Sequence, residues 1–144
     1  MLTASEQALY DLLLRLTAVE QAGRARIERM LSPGLTLAQL GVLGLLRDGE
    51  AWRPHRLASA FGITRQTITT TLARLERAEL VAVCRDPADG RSKLVTITEQ
   101  GAAAHRSCME RLGPVLAMAA ERLPGRLAPD LLQSLDQLER ALRA

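Results

Sequence analysis

The side chains of this sequence that can do chemistry are mostly arginines and threonines, gathered in two short runs. Thr64-Arg65-Gln66-Thr67-Ile68-Thr69-Thr70-Thr71 sets hydroxyl, amide and guanidinium groups within about two helical turns, and Arg74 follows. The second run is Asp89-Gly90-Arg91-Ser92-Lys93. Guanidinium groups pair bidentately with phosphate or guanine, and Gln pairs bidentately with adenine. Both runs therefore suit recognition of a polyanion better than bond-making. For bond-making the sequence has little to offer. Only His55 and His105 are available as general bases, and there is no G-x-S-x-G, H-E-x-x-H, P-loop or G-x-G-x-x-G. A Ser/His/Asp set can be drawn from several loops, but nothing places its members together. Cys84 and Cys108 lack C-x-x-C spacing and fall in different elements, which disfavours a zinc site or a disulfide. No catalytic residue, metal or cofactor is expected, and the thiols read as small structural hydrophobes.

The elements that must position these groups are legible from periodicity and caps. Thr3-x-x-Glu6 is a capping box opening a long helix to about Met30, with Leu9, Leu12, Leu13, Leu16 and Val19 on one stripe. Ser32-Pro33-Gly34 ends it. Thr36-x-x-Gln39 opens a shorter helix whose leucines leave little polar surface, so it is expected to be buried. Pro54 starts a third helix with Leu57, Ala58 and Phe61 facing inward, and Gly62 stops it. Thr64 caps a fourth, with Ile68, Leu72 and Leu75 inward and Gln66, Thr70, Arg74 and Arg77 outward. Two short helices joined by a Gly-containing turn form a helix-turn-helix. Val81-Ala82-Val83 and Leu94 to Thr98 then alternate as two strands of a hairpin, with Asp86-Pro87-Ala88-Asp89-Gly90 as its turn. Gly90 is expected to allow a tight tip, Arg91 to project from it, and Asp89 to hold Arg91 by a local ion pair. Thr98 can cap a fifth helix that Gly113-Pro114 bends or interrupts. A last helix begins near Pro129.

The chain has 144 residues, 19 Lys+Arg against 16 Asp+Glu, and one each of Trp, Tyr and Phe. That length suits one domain, and so few aromatics disfavour a stacking platform for single strands. The net charge of +3 is not evenly spread. Residues 1–46 and 94–144 each balance, whereas residues 47–93 hold nine basic groups against six acids. The longest apolar run, Leu40 to Leu46, is far short of the ~20 residues of a membrane span, and no targeting segment is evident, so a cytoplasmic protein without membrane contact is expected.

From Leu35-Thr36-Leu37-Ala38-Gln39-Leu40 through Gly62-Ile63-Thr64-Arg65-Gln66-Thr67 to Asp86-Pro87-Ala88-Asp89-Gly90-Arg91-Ser92-Lys93-Leu94-Val95-Thr96-Ile97-Thr98, the sequence resembles the MarR family of winged helix-turn-helix transcriptional regulators. The resemblance implies a mainly α fold with a small β-hairpin, forming a single MarR-type domain over 1–144. Residues 35–98 would form the winged helix-turn-helix lobe that binds DNA, and 1–32 and 99–144 long terminal dimerisation helices. It implies a homodimeric repressor of inverted repeats in double-stranded DNA, released when a small anionic or phenolic effector binds. The expected DNA-binding residues are Thr64, Arg65, Gln66, Thr67, Thr69, Thr70, Arg74, Arg91 and Lys93, with Asp89 and Gly90 supporting the wing. Arg15, Trp52 and His105 are the candidates to border an effector pocket, each equally explained by packing or surface chemistry. Relatives often carry Arg or Lys where this chain has Thr70, and the first helix lacks the cysteine of the peroxide-sensing branch. The alternative, a winged-helix module that binds protein instead of DNA, calls for an acidic or apolar recognition face, and this one is polar and basic.

Overall fold

The computed structural model of the chain describes residues 1–125 and 127–143, the side chains of Leu127 and Ala128 excepted. In order, its elements are α1 (Ala4–Glu28), α2 (Leu37–Leu45), α3 (Pro54–Phe61), α4 (Arg65–Arg77), β1 (Val81–Asp86), β2 (Asp89–Ile97), α5 (Glu99–Glu121) and α6 (Leu127–Arg143). They divide into two compact units, Met1–Cys108 and Met109–Ala144, with the boundary inside α5.

In the first unit, local side-chain chemistry sets most helix ends. The Glu6 amide donates to Thr3 Oγ1 at 3.3 Å while the Thr3 amide donates to Glu6 Oε2 at 2.6 Å, and Thr36 and Gln39 repeat the arrangement at α2. Each box satisfies two donors that a helix start leaves open. Gly62 ends α3 at φ +61°, the left-handed conformation it adopts without a Cβ penalty. Thr98 caps α5, accepting from the Gly101 amide at 2.9 Å, and its hydroxyl donates to the Glu79 carbonyl at 2.7 Å.

The core of this unit is built where α2, α3, α4 and the hairpin meet. Leu43, Leu46, Leu57, Leu75 and Val95 are completely buried, with Val42, Ile68 and Val81 nearly so. At roughly 1.5–3 kcal/mol for each fully buried aliphatic side chain, this cluster holds the recognition elements together. The strands pair antiparallel from Val81↔Ile97 outward, and Trp52 adds a third edge, its amide donating to the Val95 carbonyl at 2.9 Å and the reverse bond closing at 2.8 Å. No residue of α1 is buried.

Three features differ from the sequence-based expectation. Phe61 is 36% exposed instead of inward, because it ends an eight-residue helix and lies over Gly41, where a Cβ would come within 2.8 Å of its ring. The strands are longer, leaving only Pro87-Ala88 as the turn, and Gly90 is in β2 without positive φ. The Asp86 carboxylate makes that turn by accepting the Ala88 amide at 2.9 Å, so no glycine is needed at the tip. In the second unit α5 continues through Gly113 and Pro114, the lost donor being one rung in a 23-residue helix. As expected, α6 starts near Pro129, at Leu127, which puts the proline in the first turn, where its missing amide costs nothing.

Glu79, just past α4, sits at φ +60°, the one described non-glycine residue with positive φ. A side chain there costs about 1 kcal/mol. Glu79→Gly is therefore expected to stabilise the chain by about 0.5 kcal/mol, the strain relief less the entropy glycine adds to the unfolded state. A thermal melt reading a lower midpoint would show that the Glu79 side chain does something more.

Candidate nucleic-acid interface

The outward face of α4 carries Arg65, Gln66, Thr67, Thr69 and Thr70, all exposed, while Ile68, Leu72 and Leu75 anchor the opposite face. The hydroxyls are held back against their own helix. Thr69 donates to the Arg65 carbonyl at 2.7 Å, Thr70 to that of Gln66 at 3.1 Å and Thr71 to that of Thr67 at 3.0 Å. Thr64 Oγ1 accepts the Thr67 amide at 3.1 Å and shares a 2.8 Å hydrogen bond with the Thr67 hydroxyl. With their hydroxyls so engaged, Thr69 and Thr70 can offer methyl groups, suited to the thymine methyl of a major groove.

The start of α4 and the wing meet across a cleft of 310 Å³ lined by Arg53, His55, Arg65, Thr69, Arg91 and Lys93, among others. Arg65, Arg91 and Lys93 have no acidic partner among the described residues. The one acid at this end of the fold that is buried, Asp86, is already occupied: its Oδ2 accepts from Arg53 Nη2 at 2.6 Å and from Arg53 Nε at 3.2 Å. The Ala88 amide and the Arg53 guanidinium hold the Asp86 carboxyl below the usual carboxylate range. Asp89 likewise titrates low, because the Ser92 hydroxyl and the Arg91 amide both donate to it, at 2.6 and 3.1 Å. Asp89 thus fixes Arg91 through its backbone and not through the expected ion pair, leaving the guanidinium uncommitted.

The remaining candidates lie elsewhere. Arg74 is in the last turn of α4 and borders a separate 550 Å³ pocket with Arg77, Gln39 and Leu35. Trp52 is committed to its bridge with Val95 and lies under the Arg56 guanidinium, 5.2 Å from the ring centre. His105 packs against Gly44, and burial together with the Arg47 charge lowers its pKa. Arg15 is exposed on α1. Sequence reasoning missed Arg53, Asp86 and Ser92 as parts of this surface. Among the described residues no group of three or more His, Cys, Asp or Glu side chains is arranged to hold a metal ion, and no helix is long and apolar enough to cross a membrane.

Residues 34–92, which span the whole cleft except Lys93, match the family model described as the MarR family. Over this segment the chain resembles the MarR family. Its mainly helical winged-helix fold matches MarR structures: a mutant MarR from E. coli complexed with operator DNA superposes at a TM-score of 0.79, with 26% identity over 89% of this chain and 93% of that one. Two further proteins are similar in sequence. The HTH-type transcriptional repressor NicR of Pseudomonas putida is 38% identical over 71 residues, 49% of this chain and 45% of the relative. The transcriptional activatory protein BadR of Rhodopseudomonas palustris is 39% identical over 71 residues, 47% of this chain and 41% of the relative. The match thus spans less than half the length of each.

Proposed function

We propose that this chain is a member of the MarR family, a cytoplasmic, non-catalytic transcriptional regulator that binds double-stranded DNA sequence-specifically as a homodimer. The reading is carried by one observation: Arg65 and Thr69 of α4 share a cleft with Arg91 and Lys93 of the wing, and the nearby buried acid is neutralised by Arg53. A polar, acid-free helix face fits a major groove, and an Arg on a projecting ribbon fits the negative potential of a minor groove. Thr64, Gln66, Thr67 and Thr70 complete the reading face, with Arg74 on a phosphate farther along. A basic, polar face also argues against a protein-binding module.

Residues 1–32 and 99–144 are assigned to the dimer and 35–98 to the DNA-binding lobe. In the first unit Leu12, Leu14 and Val19 are exposed on α1, and in the second Leu131, Leu132 and Leu142 are exposed on α6, more apolar surface than helices of a lone chain leave open. By family habit the dimer represses from an inverted repeat and releases it on binding a small anionic or phenolic effector, for which Arg15, Trp52 and His105 remain the candidate contacts.

Binding to a random duplex at two salt concentrations tests the reading, because neutralised phosphates release counterions. Affinity that falls with salt is expected, and no binding, or no salt dependence, rejects DNA as the partner. Against selected operator sites, Gln66→Ala is expected to relax base preference at one position per half-site, at a cost of about 1–3 kcal/mol. Unchanged preference would remove Gln66 from base readout. Half-sites should lie about one helical turn apart, and sedimentation as a monomer would overturn the inverted repeat.

A further inference from the structure

Resting on the DNA reading above, we propose that the Arg53–Asp86 ion pair is a positioning clamp that sets the angle of the wing and so delivers Arg91 to the duplex. Asp86 ends β1 and is 6% exposed, the one buried charged side chain among the described residues. Both of its oxygens are engaged, at two places. Oδ2 takes both Nε and Nη2 of Arg53, and Oδ1 takes the Ala88 amide of the wing turn. Arg53 is the residue immediately before α3, next to Trp52, whose backbone pairs with Val95.

The hairpin is therefore tied to the segment entering α3 at two points. The inner tie is the Trp52–Val95 pair of backbone hydrogen bonds, opposite Val83. The outer tie is the ion pair, three residues farther along β1, or about 10 Å at the rise of a strand. A ribbon held at one point can pivot, and a ribbon held at two cannot. Beyond the outer tie the constraint passes through the turn to Asp89, which faces Asp86 across the ladder and fixes the Arg91 amide and the Ser92 hydroxyl. The constraint thus runs from the start of α3 to the backbone of Arg91 through the Arg53–Asp86 hydrogen bonds, the strand pairing of Asp86 with Asp89, and the Asp89 hydrogen bonds. A fork-shaped guanidinium suits this task, because Nε and Nη2 together fix orientation where an ammonium fixes only distance.

The pair has an opposing electrostatic consequence. Asp86 cancels the charge of Arg53 within a cleft that otherwise collects cations, so its removal adds a positive charge facing the DNA. Positioning and electrostatics therefore predict opposite signs for the same substitution.

The test uses the full chain, duplex affinity at two salt concentrations, and hydroxyl-radical footprints. In wild type, Arg91→Ala weakens binding about tenfold, and Asp86→Asn does the same although it raises the net charge, because a contact that depends on its neighbour couples at this scale. In the Asp86→Asn background, Arg91→Ala costs less than about twofold further, and the wing footprint disappears while the recognition-helix footprint stays. Arg53→Lys, which keeps the charge and removes the fork, is expected to give the same decoupling in a smaller degree and keeps the test decisive if Asp86→Asn fails to fold. Additive effects of Arg91→Ala in both backgrounds overturn the clamp, as does tighter binding with a steeper salt dependence in Asp86→Asn. A wild-type chain that binds no duplex overturns the DNA reading, and the clamp with it.

Discussion

Gly101→Ala is expected to destabilise the chain by about 3 kcal/mol or more, enough to leave a marginally stable domain largely unfolded. On propensity alone the opposite is predicted, since Gly101 lies in the first turn of α5 and alanine is favoured over glycine in helices by about 1 kcal/mol. Space decides otherwise. A Cβ at this position would fall inside the Leu80 carbonyl oxygen, with the Leu80 carbonyl carbon at 2.9 Å and Ile97 Cγ1 at 3.0 Å. The obstructing atoms are backbone, and that backbone is fixed on both sides. The Leu80 carbonyl accepts the Thr98 amide at 3.1 Å, and the Leu80 amide donates to the Leu75 carbonyl at 2.9 Å. Next to it Leu75 is fully buried and Val81 is 2% exposed, so moving Leu80 disturbs the centre of the core. Chemical denaturation checks this directly. A midpoint equal to that of wild type would show that α5 does not start against Leu80 as described.

The features that were legible in the sequence are those whose partners lie within about four residues. Thr3 with Glu6, Thr36 with Gln39, Thr98 with Gly101 and the left-handed Gly62 each complete a local hydrogen-bonded motif, so residue type and spacing suffice to find them. Rules of the same range also misled where a side chain or a neighbour intervened. Asp86 supplies the wing turn that Gly90 was expected to make, and Gly41 opens a seat on α2 that draws Phe61 out of the core. The cleft shows the limit most clearly. Arg65, Arg91 and Lys93 are identifiable one by one as cations near turns, but their meeting depends on the register that sets Arg85 opposite Lys93 and Asp86 opposite Asp89. Arg53 and Asp86 are 33 residues apart and share no motif, so only the fold reveals that one neutralises the other.

Replacing both wing cations, Arg91→Ala with Lys93→Ala, is expected to lower affinity for duplex DNA about 100-fold at low salt while leaving the preferred sequence unchanged. The two side chains project from the exposed edge of β2, uncommitted to any acid, so their removal subtracts charge without opening the core. Val95 and Ile97, farther along the same strand, keep their pairing with Val83 and Val81, and the Asp89 bonds that shape the wing use the Arg91 backbone and Ser92, which the substitutions retain. Thermal stability should therefore hold within about 0.5 kcal/mol, as for surface changes elsewhere. A dimer presents two wings and so loses four cations; with Lys93 at a phosphate and Arg91 in the minor groove, two phosphate neutralisations are lost at about 0.9 each, and the log–log salt slope falls by about 2. The size of that decrease separates two placements of the wing. A fall near four means that Arg91 and Lys93 both stand at phosphates, and a fall near two means that one of them enters the groove or stays in solvent. Because sequence choice resides in α4, a change of preferred operator in the double variant would mean that the wing reads bases, and an unchanged affinity would place the wing away from DNA altogether.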